Sequence, residues 1–105
     1  MDKSADPTIE QRIVQTFLDT GITPLSLAIL RVIESSDHIL NGREIGARVF
    51  EDYGHKLVPG TLYTTLRRME ERKELKLRKI AGSRRKMGYD LTAYAKNEVL
   101  PKFNY

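Results

Sequence analysis

Residues 59–79 read PGTLYTTLRRMEERKELKLRK. Pro59 opens this stretch with a residue suited to a first helical turn, where its missing N–H is not needed. Leu62, Leu66 and Met69 then recur at i, i+4 and i+7, the spacing of one helical face. Beyond Lys73 the period changes. Leu75-Lys76-Leu77-Arg78 alternates apolar and basic side chains, as a strand does. The spacing therefore predicts a helix near 59–73 followed at once by a basic strand. The outward positions of that helix read Thr61, Thr64, Thr65, Arg68 and Arg72, flanked by Tyr63 and Arg67.

Working upstream, Asn41 and Glu44 stand as a capping box in which Asn replaces the usual Ser or Thr. Ile45, Val49 and Phe50 provide the inward face of a helix near 42–53, which Asp52-Tyr53-Gly54 stops. Before it, Thr23 and Pro24 start a helix whose Leu25, Leu27, Ala28, Ile29, Leu30, Val32 and Ile33 cover most of its circumference. A helix apolar on so many sides is central and buried. Asp6 and Pro7 give another start signal, for a helix near 7–19 that carries Ile9, Ile13, Val14, Phe17 and Leu18 and closes at Gly21.

Downstream, Ala81 to Lys86 makes a turn of small and basic residues, and Met87 to Leu91 returns as a second strand. Thr92 caps a short last helix with Tyr94, Ala95, Val99 and Leu100, halted by Pro101. The order is four helices, a hairpin and a final helix. The expected fold is mainly α with a small β-hairpin (α+β), a winged helix-turn-helix with an extra N-terminal helix and a short C-terminal one. Residues 1–105 form a single domain, with the N-terminal helix at 7–19, the helix-turn-helix at 42–73 and the wing at 75–91.

Charge supports this layout. Residues 1–58 carry six Lys/Arg against nine Asp/Glu, whereas residues 59–105 carry twelve against five, giving halves of −3 and +7. Ten of those bases lie between Arg67 and Lys86, with only three acids among them. So polarised a field gives one cationic face. The chain has no cysteine, which excludes disulfides, thiolate catalysis and Cys-based zinc sites. No basic-then-apolar leader follows Met1, so a cytoplasmic, nucleoid-associated protein with no membrane partner is expected.

A major groove admits one helix, anchored from behind by apolar side chains. The helix opened by Pro59 fits, with Leu62, Leu66 and Met69 as anchor. Thr61 and Thr64 let the backbone approach base edges, Arg67 and Arg68 reach guanine or phosphate a turn further on, and the N–H groups at Gly60 receive a phosphate. Lys79, Ser83, Arg84, Arg85 and Lys86 place cations along and at the tip of a protruding wing, within reach of a flanking minor groove or backbone. His38 and His55 stand alone, without metal-ligand spacing, so no metal is expected. Glu70, Glu71 and Glu74 are expected to pair with Arg and Lys on the helix surface. No Ser/His/Asp set, P-loop, Gly-rich dinucleotide turn or paired-acid arrangement is present, and neither catalysis nor a cofactor is expected.

These residues also carry a resemblance. Thr23-Pro24-Leu25, Asn41-Gly42-Arg43-Glu44-Ile45, Pro59-Gly60-Thr61-Leu62-Tyr63, Leu66-Arg67-Arg68-Met69-Glu70 and the closing Tyr89-Asp90-Leu91-Thr92 resemble the PadR-like transcriptional regulators over about residues 22–95. The resemblance implies a homodimer on a pseudo-palindromic operator of double-stranded DNA, usually as a repressor. It suggests Thr61, Tyr63, Thr64 and Arg67 as helix contacts, with Arg84, Arg85 and Lys86 on the wing. Only ten residues follow Ala95, against a long dimerisation helix in that family, so Ile9, Ile13 and Phe17 of the first helix are expected to pair the two copies. PadR-like domains also serve as centromere-binding adaptors in archaeal plasmid partition. A spreading DNA-segregation protein that recruits a further protein partner is therefore the alternative, and a winged helix used only for protein contacts the lesser one.

Overall fold

The helix α2 (Pro24–Ser35) is apolar on most sides, and the fold closes around it. The structure is a computed structural model, described here over residues 8–82 and 86–105. Thr23 caps α2 by accepting the Ser26 N–H, and Ile29 and Leu30 are completely shielded from solvent. α3 (Gly42–Tyr53) lays Ile45 and Val49 against that core. Its expected capping box is formed in both directions: Asn41 Oδ1 accepts the Glu44 N–H at 2.9 Å, and Glu44 Oε1 accepts the Asn41 N–H at 3.0 Å. Gly54, at φ +73°, adopts the left-handed geometry that ends the helix and is open to glycine without steric cost.

α4 (Pro59–Glu71) buries Leu62, Leu66 and Met69, the i, i+4, i+7 set expected. It crosses α3 closely. A Cβ on Gly46 would stand 2.9 Å from Leu62 Cδ2, so a small residue is needed there. The strands β1 (Leu75–Lys79) and β2 (Met87–Leu91) pair antiparallel, with Leu75 opposite Leu91 and Lys79 opposite Met87. On the far edge of β2 the Tyr89 N–H donates to the Leu40 carbonyl at 2.9 Å, tying the hairpin root to the segment before α3. Gly88 permits that contact, since a Cβ there would lie 2.6 Å from the Leu40 oxygen.

The molecule is thus mainly α with a small hairpin: a helix-turn-helix of α3 and α4 with a wing, preceded by α1 (Ile9–Thr20) and followed by a short helical segment. No single helix is long and apolar enough to cross a membrane.

Three boundaries differ from the sequence reading. α1 starts at Ile9, because Thr8 and Gln11 form a reciprocal capping box there; Asp6 and Pro7 lie outside the described residues. α4 stops at Glu71 instead of 73, because Lys73 turns left-handed (φ 65°) and Glu74 is drawn into the interior. Pro101 does not halt the last helix. The turn Ala95–Val99 widens to π geometry ahead of it, and Pro101 then sits inside a 3-10 turn, Leu100–Phe103. A proline ring would clash with the carbonyl four residues earlier, and the wider turn relieves that.

Candidate nucleic-acid interface

The N-terminal half of α4 presents short and cationic side chains to solvent. Gly60, Thr61, Thr64, Arg67 and Arg68 are exposed, opposite the buried Leu62, Leu66 and Met69. Among the described residues, the Arg67 and Arg68 side chains hold no hydrogen bond or ion pair. Four other arginines are paired, whereas Arg12 and Arg43 are not. Arg31 bonds Glu34 and the Phe103 carbonyl, Arg48 bonds Asp52 and Ser35, Arg72 bonds Glu74, and Arg78 bonds Asp90. The acids thus neutralise those four arginines and leave the two at the middle of α4 available.

The start of α4 is open as well. The N-cap Val58 offers no side-chain acceptor and is 65% exposed, whereas α1, α2 and α3 are capped by Thr8, Thr23 and Asn41. The N–H groups of Gly60 and Thr61 therefore face solvent in a position suited to an anion. Gly60 has a negative φ, and a Cβ placed on it would meet nothing within 4 Å. The fold of this chain gives no reason for a glycine there.

Tyr63 is half exposed. Its ring lies over α3, where a Cβ on Gly42 would stand 2.5 Å from the ring edge. Its position is therefore set by packing, with the phenol edge at the surface. Tyr89 of β2 neighbours it; burial first, then the nearby Glu70 and Tyr63, push the Tyr89 phenol above its ordinary value.

On the wing, Lys79 and Lys86 are exposed at opposite ends of the tip, where the Ile80 N–H donates to the Lys86 carbonyl at 3.0 Å. Ser83, Arg84 and Arg85 lie outside the described residues. Asp90 anchors the wing by accepting from Arg78 Nη1 at 3.0 Å and from the Leu91 N–H. Burial raises the Asp90 carboxyl, but those two bonds together with the Lys96 and Arg78 charges outweigh it and hold the group below its ordinary value.

Two cations missed in the sequence reading join this surface. Arg43 and Lys56 line a groove of about 380 Å³ between α3 and α4 together with Tyr63 and Pro59, and neither side chain has a partner among the described residues. Arg43 carried a readable signal. It occupies the first turn of α3, where the helix dipole disfavours a cation by about 0.3–1 kcal/mol. An external anion would reverse that sign.

Other expectations need correction. Glu74 does not pair on the helix surface; it is 2% exposed and bonded to Arg72, while Glu70 and Glu71 form no ion pair among the described residues. In the expected dimer set, only Ile9 is open, at 62% exposure. Ile13 is half-buried, and Phe17 is turned inward onto Phe103 with ring centroids 5.0 Å apart. The open apolar side chains of α1 also include Val14 and Leu18, at 57% and 71%. The reason is geometric: Ile13 and Phe17 lie one turn apart on the flank that meets the C-terminal segment, and Val14 and Leu18 lie one turn apart on another.

Among the described residues no three His, Asp or Glu side chains gather as metal ligands, and His38 is bonded to Asp37. No family model matches this chain, and no curated protein matches it. The likeness to PadR-like regulators rests on the residues themselves.

Proposed function

We propose that this chain binds double-stranded DNA as a homodimer and acts as a transcriptional regulator of the PadR-like kind, a repressor that occupies its operator. The observation that carries the reading is where unpaired cations gather. Among the described residues Arg31, Arg48, Arg72 and Arg78 are consumed by acids or carbonyls, whereas Arg67 and Arg68 on the exposed face of α4, with Arg43 beside them, are not, and Arg12 on α1 is the one other unpaired arginine. α4 enters the major groove with Thr61 and Thr64 against base edges. Arg67 and Arg68 reach guanine or phosphate, and the N–H groups of Gly60 and Thr61 hold a backbone phosphate. Arg43 and Lys56 take phosphates beside it, and the wing reaches the flanking groove. The two copies pair through Ile9, Val14 and Leu18 of α1, which a monomer leaves in water.

The test is fluorescence anisotropy on the DNA flanking the protein's own gene, titrated with salt. Each phosphate-contacting cation adds about 0.9 to the slope of log affinity against log salt. The double change Arg67→Ala and Arg68→Ala removes four cations from a dimer and should lower that slope by about three to four units. An unchanged slope and affinity would discard the DNA reading in favour of protein contacts. DNase footprinting then distinguishes the roles: one bounded, two-fold site for a regulator, or a footprint that spreads with concentration for a partition protein.

A further inference from the structure

Glu74 is the one buried carboxylate among the described residues, and its partner does more than neutralise it. Arg72 follows the last turn of α4 and folds back over Gly21, the residue that ends α1. Its Nε donates to Glu74 Oε2 at 3.0 Å and its Nη2 to the Thr20 carbonyl at 3.1 Å. Gly21 is required twice. Its φ is +72°, and a Cβ there would stand 2.7 Å from Arg72 Nη2. One guanidinium therefore joins the C-terminal end of α1 to the C-terminal end of α4.

α1 has few other holds. None of its residues is buried. Phe17 stacks on Phe103, and the Tyr105 hydroxyl bonds Thr16 and donates to the Arg12 carbonyl at 3.0 Å, all through the C-terminal segment. A helix of 12 residues is marginal in water without tertiary support. We propose that the Arg72–Glu74 pair is an acid-released latch that fixes the angle of α1 against α4. Resting on the dimeric DNA-binding reading, the latch also sets the distance between the two reading helices, because α1 carries the surface that joins the copies.

Acid would open this latch before it unfolds the chain. Burial pushes the Glu74 carboxyl above its ordinary value, with the Arg72 charge and hydrogen bond opposing. The folded chain therefore takes up this proton more readily than the unfolded one, and stability linked to Glu74 is not lost as pH falls through that window. What is lost is the charge that holds the guanidinium. The groups facing Glu74 fit a single switch: Arg72 and, from α4, Arg68 are the cations of the small cavity beside it, and the other polar side chains lining it are the hydroxyls of Thr23, Ser26 and Thr65. No second acid and no histidine lines that cavity.

The chain has no native cysteine, so a Gln15→Cys, Glu71→Cys double variant takes two spin labels, one on α1 and one on α4. Diluted into excess unlabelled chain and without DNA, it reports the internal distance whether or not the chain dimerises or binds an operator. One narrow distance is expected at about pH 7, and its loss to a broad distribution at about pH 4, around the ordinary carboxylate range, while helical circular dichroism persists. Glu74→Gln and Arg72→Lys should broaden the distance already at neutral pH. An unchanged narrow distance in folded variants and in acid overturns the latch. So does broadening of the native sequence only together with loss of helicity, a result that decides the matter even where the variants fail to fold. Failure of the DNA reading would remove the spacing consequence and leave the latch standing.

Discussion

At the residue scale, the two most telling positions on the proposed reading face are those whose identity the chain's own packing does not require. Gly60 costs up to about 0.5–1 kcal/mol relative to alanine within a helix, with no steric return inside this chain. Gly60→Ala should therefore raise stability by about that amount in thermal unfolding while weakening DNA binding, because a methyl group would stand between the helix start and the duplex. Equal DNA affinity would show that nothing approaches there closely. Arg43→Ala should lower DNA affinity on every sequence, reduce the salt slope of the dimer by about two units and leave thermal stability equal or slightly higher. Gly88 makes the opposite case. Its missing Cβ is demanded by the Leu40 carbonyl, so Gly88→Ala should destabilise the hairpin root, seen as faster hydrogen exchange at the Tyr89 amide.

At the element scale, α1 and the wing are the parts held least by the core. Val14→Glu with Leu18→Glu should yield a monomer in light scattering, with circular dichroism preserved because neither side chain is buried in the single chain. A dimer that persists would move the interface elsewhere. The wing should respond to acid with the sign set by Asp90. Its carboxyl lies below its ordinary value through the Arg78 and Leu91 bonds, so its contribution is present above the unfolded carboxylate value and lost as pH falls through the folded one. Hydrogen exchange across β1 and β2 should accelerate over that acid range in the native sequence, and Asp90→Asn should abolish the pH dependence.

At the scale of the whole molecule, the division of charge is completed by the division of partners. Arg31 and Arg48, on α2 and α3, are spent within the chain, whereas Arg43, Lys56, Arg67 and Arg68 around the helix-turn-helix have no side-chain partner among the described residues. The surface proposed to face a duplex thus has charge to spare, and its field would steer association. Affinity for DNA should accordingly fall steeply between low and physiological salt, measured by anisotropy on operator and unrelated duplexes alike.

The sequence by itself determined the elements and their order. Leu62, Leu66 and Met69 specified the buried stripe of α4, and Asn41 with Glu44 specified the start of α3. The switch from period 3.6 to period 2 at Leu75 specified the wing. Each of these signals is local, carried by residues within a few positions of one another, and so it survives without knowledge of the fold. The tertiary structure alone decided which residues of a type are free and which are used. Arg72 and Arg68 are indistinguishable as letters, yet one lies across Gly21 onto Glu74 and the other faces solvent. Phe17 and Leu18 are neighbours on one helix, yet Phe103, far along the chain, claims the first and leaves the second exposed. Burial and pairing depend on which distant segment arrives beside a side chain. That is fixed by how the helices pack, and no window of sequence contains it.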